Sequence, residues 1–228
     1  MRVLLLVMAA ALTGCAHVQT AAAPVAARLL GTVDAAAIIG PPPEAGSPRA
    51  LAELTPPTQP WPADRVAQAQ RDNAIDPFLA FSAVMGPGFT ADAKPATQKL
   101  FRMVTMNVGP PIGVAKDRWK RDRPFVAVPT WPTCINPDDR LRASGSYPSG
   151  HSALGWSWAL ALAQAAPAKA DAILTRGREY GDSRVVCGVH FPSDVEAGRT
   201  LAAAEIARLN SDADFQAAVK AAAAELGR

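Results

Sequence analysis

The sequence predicts an all-α fold, a single-domain helical bundle with an extended N-terminal arm. The chain has 228 residues, which is long enough for one domain with a substantial buried core. Apolar residues make up 49% of it, and alanine, the best helix former, dominates that share. Only 6% of the residues are aromatic, and no alternating strand pattern competes with the helical ones, so a sheet-rich fold is not expected.

The first residues have the layout of a secretory signal. Arg2 precedes an apolar run from Val3 to Leu12, and this run is shorter than the about 20 residues that a spanning helix needs. The following "LTGC" resembles a bacterial lipobox, in which Cys15 receives lipid after cleavage before it. We therefore expect a signal peptide over residues 1–14 and a periplasmic protein whose only membrane contact is a lipid anchor in the outer membrane. The alternative is an ordinary signal cut in "TAAAPVAA", which would leave the protein soluble in the periplasm.

The rest of the chain divides into an arm and a helical domain. Residues 15–62 are rich in Ala and Pro, with "GPPPEAGSP" and "TPPTQPWP" as breakers, and we expect an extended tether and arm that lies on the folded body. Residues 63–228 alternate helical patterns with short polar breaks. In chain order, helices are predicted in "RVAQAQRDNAI" capped by Asp64, "PFLAFSAVM", "ADAKPATQKLFRMVTMNV", "SALGWSWALALAQAA", "KADAILTRGREYGDSRVV", "DVEAGRTLAAAEIARLN" and "DADFQAAVKAAAAELG" capped by Ser211.

Two of these patterns indicate how the bundle is built. In the third, Leu100, Met103, Val104 and Val108 fall on one face of a helix. The fourth is apolar nearly all round, which predicts a helix in the core. It runs for about 14 residues before Pro167, which is too short to span a bilayer.

The cysteines agree with a location outside the cytoplasm. If Cys15 carries lipid, Cys134 and Cys187 remain as an even pair in an oxidising compartment. A disulfide between them would close a loop of about fifty residues and stabilise the fold by about 4 kcal/mol in the chain-entropy model. The alternative is two buried free thiols. A metal site is less expected, because neither cysteine has a second Cys or a His at ligand spacing.

Basic residues are concentrated in one stretch. The net charge is only +3, and no run of Lys and Arg is interleaved with aromatic residues, so no nucleic-acid partner is expected. The stretch "KDRWKRDRP", residues 116–124, places Lys116 and Arg123 seven apart, two turns along one helix face, and Pro124 then ends the helix. Taken alone, this is a solvated basic helix end.

A second polar group lies where a loop enters the apolar core helix. In "GSYPSGHSALG", the hydroxyl of Ser149 and the free N–H groups of the helix start offer a binding site for an anion. Gly150 allows the backbone to come close to a ligand, and His151 follows it directly. The alternative is a serine cap beside an incidental histidine.

A third group is "SRVVCGVHFPSD", residues 183–194. Arg184 precedes His190 by six residues, and Asp194 follows it by four. A carboxylate at this spacing can fix the imidazole tautomer and leave the other ring nitrogen free as a nucleophile. A purely structural His–Asp pair is the alternative.

The three groups together point to phosphoryl transfer. Three cations and backbone amides would bind the phosphate oxygens. One histidine would attack phosphorus while the other protonates the leaving oxygen. These groups suffice without a metal, so no cofactor is predicted.

The three segments also carry a family resemblance. They read K-x6-R-P, P-S-G-H and S-R-x5-H-x3-D, in order, and resemble the signature of the phosphatidic acid phosphatase type 2 and vanadium haloperoxidase superfamily. Within it, "GSYPSGHS" is similar to the bacterial class A non-specific acid phosphatases, whose usual string ends in Thr where this chain has Ser152. The resemblance covers the chain from roughly residue 40 onward, so residues 63–228 would form a helical acid phosphatase domain.

The resemblance implies a role for each signature residue. His190 would be the nucleophile and pass through a phosphohistidine, with Asp194 orienting it. His151 would be the acid for the leaving alcohol and then the base for water. The phosphate would be held by Lys116, Arg123, Ser149, Gly150 and Arg184.

The predicted function is a metal-independent acid phosphatase acting on small phosphomonoesters with broad specificity, with phosphate transfer to an alcohol as a side activity. One alternative is a vanadium-dependent haloperoxidase, since vanadate would fit the same cage, although such members are usually much larger. Another is a non-catalytic envelope lipoprotein that has kept the fold, although every signature position is matched. The Ala-rich helical surface is compatible with a homodimer.

Overall fold

The computed structural model describes residues 33–227. In that range the regular secondary structure consists of helices joined by loops, with no strand. The all-α prediction is therefore confirmed. The predicted signal peptide, residues 1–14, and Cys15 lie outside the described residues. The helices are α1 (Ala35–Ile39), α2 (Pro48–Glu53), α3 (Ala63–Arg71), α4 (Pro77–Met85), α5 (Pro95–Trp119), α6 (Pro124–Ala127), α7 (Asp139–Ala143), α8 (Gly150–Ala165), α9 (Ala170–Val186), α10 (Pro192–Leu209) and α11 (Ala213–Glu225), with a 3-10 turn at Pro167–Lys169.

Helix α8 lies at the centre of the bundle and contacts α5, α9, α10 and α11. Trp158 and Leu162 are among its fully buried side chains, as expected for a helix without a polar face. The rings of Phe101 from α5 and Tyr180 from α9 pack against Trp158 at centroid distances of 6.4 and 6.0 Å. The prediction of a core helix is confirmed.

Helix α5 is longer than the sequence pattern indicated. Leu100 and Val104 are fully buried, as the predicted apolar face requires. The pattern stopped at residue 108, yet α5 continues through Pro110 and Pro111 and so carries Lys116 in its last turn. A proline in a helix interior is unfavourable by about 3 kcal/mol, and the packing of α5 against α8 and α11 outweighs that penalty.

The prediction that Lys116 and Arg123 share one helix face is wrong. Helix α5 ends at Trp119, because Lys120 adopts left-handed backbone with φ of 45°. Arg123 lies in extended backbone as the N-cap of α6, and Pro124 begins that helix instead of ending the previous one. Proline suits a first helical position because its missing N–H would have no intrahelical partner there.

Two predicted helix caps are also wrong. Pro62 occupies the N-cap of α3, and Asp64 lies inside its first turn, where a negative charge favours the helix dipole. Asp212 caps α11 and accepts the N–H of Phe215 at 2.9 Å. Ser211 instead donates its hydroxyl to the last turn of α10. Neighbouring polar residues can make the same capping bond, so the sequence alone does not choose between them.

The arm lies on the folded body as predicted, but residues 33–62 are not extended throughout. They contain α1 and α2, whose first N–H groups are capped by the side chains of Asp34 and Ser47. Helix α1 contacts α5 and α10. The hydroxyl of Tyr147, which directly precedes the P-S-G-H segment, donates to the carbonyl of Ile39 at 3.1 Å. The arm is thus bonded to the loop that enters α8.

Glycines bring α8 close to its neighbours. A Cβ on Gly155 would lie 2.3 Å from the ring of Tyr180 on α9. A Cβ on Gly198 of α10 would lie 2.5 Å from the carbonyl oxygen of Ser149. Since glycine has no Cβ, the backbone of α10 at Gly198 can contact the backbone at the start of α8 directly.

Cys134 and Cys187 lie side by side, with Cα atoms 4.5 Å apart, within the range of a disulfide. Together with Phe125 and Val189 they form a second, smaller apolar core. Between residues 33 and 227, no helix combines the length and apolarity needed to cross a membrane.

Candidate active site

Most of the predicted site residues lie around one cavity of about 520 Å³. The side chains or backbone that line it come from α5, α7, α8 and α9, from the segments before α6 and α10, and from the segments after α3 and on either side of α7. Ser149 and Asp194 are fully buried directly behind the lining residues. The predicted residues that line the cavity itself are Lys116, Arg123, Gly150, His151, Arg184 and His190.

The hydrogen bonds of His190 fix its tautomer. Its Nε2 lies 3.0 Å from Nη1 of Arg123, and its Nδ1 lies 3.3 Å from Oδ2 of Asp194. A guanidinium can only donate, so Nε2 accepts and Nδ1 carries the proton that it donates to the carboxylate. Burial, followed by the charges of Arg123 and Lys116, holds the pKa of His190 well below its ordinary value. The imidazole is therefore neutral, with a lone pair on Nε2.

Asp194 is held by more groups than the sequence indicated. It belongs to the first turn of α10, and its Oδ2 accepts the N–H of Phe191 at 2.8 Å. The hydroxyl of Ser146 donates to the same oxygen at 2.5 Å, and Nη1 of Arg121 donates to Oδ1 at 2.7 Å. Both oxygens are thus bonded, and the carboxylate cannot turn away from His190.

Three cations meet at the cavity. Burial, followed by the charge of Arg123, lowers the pKa of Lys116 to about 7. Burial is also the main reason that the pKa values of Arg123 and Arg184 fall to about 10. Nε of Arg184 is buried without a hydrogen-bond partner. Asp194 and Asp72 offset only part of this effect, and a bound anion would stabilise the three cations further.

The start of α8 adds uncharged donors to the cations. Ser149 is its N-cap, and its hydroxyl oxygen accepts the N–H of Ser152 at 3.3 Å and the hydroxyl of Ser152 at 3.0 Å. Since that oxygen already accepts twice, its own hydrogen is free for an acceptor. The N–H groups of Gly150 and His151 belong to the first turn, where no helix supplies a partner.

His151 lies across the cavity and is held by the backbone. Its Nε2 is 3.1 Å from the carbonyl oxygen of Asn73. A carbonyl only accepts, so Nε2 carries the proton and Nδ1 has the lone pair. The side chain of Asn73 also accepts Nη1 of Arg184 at 3.0 Å. Burial, followed by the charge of Arg184, lowers the pKa of His151 to about 3 in the absence of an anion.

Sequence reasoning missed Asn73, Ser146 and Arg121. Ser146 and Arg121 lie inside the stretches that were singled out, but nothing in their spacing distinguishes them from neighbouring polar residues. Asn73 stands in a polar break after α3, 78 residues before its histidine partner, so no local pattern could have linked them. In the part of the chain that the structure describes, no three His, Cys, Asp or Glu side chains group together as a metal site.

Comparison with known proteins places this geometry in a family. The PAP2 superfamily model matches residues 99–211, a range that contains all three signature segments. A non-specific acid phosphatase of Providencia stuartii is 36% identical over 204 residues, which cover 86% of this chain and 82% of that relative. The chain belongs to the PAP2 superfamily.

Two further PAP2 relatives are similar over shorter segments. An acid phosphatase of Zymomonas mobilis is 50% identical over 116 residues, 50% of this chain and 44% of the relative. A non-specific acid phosphatase of Salmonella typhimurium is 42% identical over 138 residues, 60% of this chain and 55% of the relative. The chain thus spans about half the length of these two proteins. The predicted membership of the PAP2 superfamily is confirmed, and the similar proteins are named acid phosphatases.

Proposed function

We propose that this PAP2 acid phosphatase hydrolyses small phosphomonoesters of broad specificity, without a metal, through a phosphohistidine on His190. The observation that carries the proposal is the neutral His190, whose Nε2 lone pair lies beside three desolvated cations. A neutral nucleophile and a cationic anion site in one cavity are what transfer of a phosphoryl group requires.

The phosphate would be held by the cations that line the cavity and by the donors at the start of α8, although Nζ of Lys116 already donates to the carbonyl oxygen of Gly145. Its oxygens would accept from Lys116, from Nε of Arg184 and from the N–H groups at the start of α8. Nη1 of Arg123 would move its hydrogen bond from Nε2 of His190 to a phosphate oxygen, which frees the lone pair for attack. The hydroxyl of Ser149 would supply one further hydrogen. Because all of these contacts go to the phosphate, the organic part of the substrate is only loosely selected.

In the first step, the Nε2 lone pair of His190 attacks phosphorus and the bond to the ester oxygen breaks. Asp194 keeps accepting the hydrogen bond from Nδ1–H of the imidazole and stabilises the positive charge that develops on the ring. The departing oxygen takes a proton from Nδ1 of His151. The negative charge of the bound phosphate raises the pKa of His151 from its low ligand-free value, so the protonated acid forms when substrate is present.

In the second step, water replaces the alcohol. Nδ1 of His151 removes a proton from water, the oxygen attacks phosphorus, and the bond between phosphorus and Nε2 breaks. Phosphate leaves, and His190 returns to its neutral form. An alcohol in place of water would give the phosphotransferase side activity. The cationic site stabilises the charge of both transition states.

The cellular location rests on the sequence. Residues 1–14 have the layout of a signal peptide, and we propose that the mature protein is periplasmic and carries a lipid on Cys15. The pairing of Cys134 with Cys187 as a disulfide fits that compartment.

The decisive experiment assays the purified protein on p-nitrophenyl phosphate from pH 4 to 9, with and without EDTA. Activity on several unrelated phosphomonoesters, best below neutral pH and unchanged by EDTA, is the expected result. Loss of activity in EDTA that a divalent ion restores would contradict the metal-independent mechanism. A labelled phosphoenzyme that is stable to base and labile to acid would identify the histidine intermediate directly.

A further inference from the structure

Arg121 stands between two buried carboxylates. Its Nη1 donates to Oδ1 of Asp194 and its Nη2 donates to Oε2 of Glu53, both at 2.7 Å. The arginine side chain is 14% exposed, and the two carboxylates are 0% and 7% exposed. Its guanidinium also lies 4.2 Å from the ring centre of Phe191, the residue after the nucleophile. This ion pair network is shielded from solvent and adjoins the catalytic histidine.

Glu53 brings the arm into this network. It is the last residue of α2, and its Oε1 accepts the N–H of Ser193 at 2.9 Å. Its Oε2 accepts the hydroxyl of the same serine at 2.7 Å. Ser193 lies in the first turn of α10, next to Asp194, so Glu53 satisfies a free helix donor there. The arm thus contacts the element that orients the nucleophile through two hydrogen bonds from Ser193.

We propose that Arg121 and Glu53 are positioning residues that hold Asp194 and adjust the charge it presents to His190, which makes α2 part of the catalytic machinery. The inference rests on the proposed function, in which His190 attacks phosphorus and Asp194 orients it. Neither residue contacts the cavity where phosphate would bind; they act through Asp194.

The charges around His190 predict the sign of each effect. Four groups favour its neutral form, while the carboxylate of Asp194 favours the protonated, inactive form. Arg121 offsets part of that carboxylate charge, and Glu53 in turn offsets part of the charge of Arg121. The four groups that favour the neutral form are Lys116 from α5, Arg123 before α6, His151 from α8 and Arg184 from α9.

The two positions should therefore shift the pH profile in opposite directions. In Arg121→Met, Asp194 keeps its full charge, the pKa of His190 rises, and the acidic limb of kcat/KM moves to higher pH by about half a unit or more. In Glu53→Gln, a negative charge is lost and the limb moves to lower pH. Arg121→Lys should lie between Arg121→Met and the unaltered protein, because it restores the charge without the two-pronged geometry.

The experiment measures kcat and kcat/KM for p-nitrophenyl phosphate from pH 3 to 7, with thermal unfolding of every variant. Arg118→Met and Glu44→Gln are matched controls, since both side chains are exposed and outside the network. Their acidic limbs should not move. We expect kcat of Arg121→Met to fall about tenfold or more, because the imidazole is less well aligned.

Two results would overturn the inference. One is that the acidic limb of kcat/KM stays in place, or moves in the same direction, in Arg121→Met and Glu53→Gln, and that activity falls only in proportion to the fraction of folded protein. The other is a limb that moves equally in the controls. If Arg121→Met does not fold, Arg121→Lys and Glu53→Gln still give the comparison. Failure of the proposed function is recognised separately, because the unaltered protein would then form no phosphoenzyme.

Discussion

The backbone N–H of Ser149 donates to the backbone carbonyl of Asp194 at 2.9 Å. Ser149 caps the helix whose first N–H groups face the cavity, and Asp194 holds the imidazole of His190. The anion site and the nucleophile are therefore joined by main chain as well as by side chains. A change that displaces one of them should displace the other.

The two histidines should respond differently to removal. His190→Ala should abolish phosphoenzyme formation with every substrate, because it removes the proposed attacking nitrogen, Nε2, that lies beside Arg123. His151→Ala should reduce the hydrolysis of alkyl phosphates by about 10²- to 10⁴-fold, the usual contribution of a general acid. Hydrolysis of p-nitrophenyl phosphate should fall far less, since its phenolate leaves with little help.

Rapid-quench labelling with ³²P, together with kcat for both substrate classes, measures this contrast. Equal losses on the alkyl and aryl esters in His151→Ala would reject its assignment as the acid. A phosphoenzyme that persists in His190→Ala would reject the assignment of the nucleophile. Circular dichroism of each variant controls for the fold.

Stability should depend on pH through His151. Its pKa is lowered to about 3 in the folded protein, whereas the pKa of a histidine in an unfolded chain is about 6.5. Between these values the unfolded state binds more protons, so the free energy of unfolding falls as the pH is lowered from about 6.5 towards 3. One group titrating alone gives at most about 1.4 kcal/mol per pH unit.

Thermal unfolding between pH 3 and 7, compared with that of His151→Gln, isolates this contribution. The variant should show a flatter dependence on pH. Inorganic phosphate should raise the Tm of the unaltered protein most at acid pH, because it stabilises the protonated imidazole. Identical pH dependence in the two proteins would show that His151 does not titrate in this way.

Orthovanadate should inhibit competitively. It adopts a five-coordinate geometry like the transition state and would contact Lys116, Arg123 and Arg184 at once. Steady-state inhibition kinetics with p-nitrophenyl phosphate provide the measurement, and inorganic sulfate is a control anion of ground-state shape. If the vanadate-loaded protein brominated a substrate with peroxide as fast as the free protein hydrolyses phosphate, the haloperoxidase alternative would be preferred.

Gly198→Ala should reduce both stability and activity. The new Cβ would lie 2.5 Å from the carbonyl oxygen of Ser149, so α10 and the start of α8 must separate. Overpacking of this kind destabilises a protein by about 1–3 kcal/mol. Gly113→Ala is the matched control, since no atom lies within 4 Å of its Cβ and alanine favours a helix. Chemical denaturation and kcat measure both effects, and equal stability of the two variants would contradict the predicted clash.

Cys15→Ser should release the protein from membranes or block its processing. A lipid on Cys15 would anchor the mature protein, whereas the apolar run before it is too short to span the bilayer. Fractionation and mass spectrometry of the N-terminus test this. An unmodified N-terminus downstream of Cys15 in the unaltered protein would support ordinary secretion instead.

Lys116 and Arg123, which the sequence analysis placed in one site, line the same cavity. Their predicted shared helix does not exist, because Lys120 takes a backbone conformation that residues other than glycine seldom adopt. The motif specifies which groups must meet, and more than one backbone path can bring them together.

Contacts distant in sequence account for the residues that were missed. Arg121 meets Glu53 across 68 positions, and Glu53 belongs to a segment whose prolines suggested extended chain. A helix of six residues has little helical periodicity of its own, and α2 is stabilised by its cap and its contacts with α10. No single-sequence pattern contains that information.

The carbonyl that holds His151 has a consequence for how this cavity can evolve. A carbonyl oxygen belongs to every residue type, so substitution at position 73 leaves the acceptor for Nε2 in place as long as the loop keeps its path. Only the bond to Arg184 depends on the asparagine side chain. Side-chain mutations in this loop can therefore leave the tautomer of His151 unchanged. If His151 is the proposed proton donor, such mutations could change which alcohols fit beside the phosphate without changing that donor.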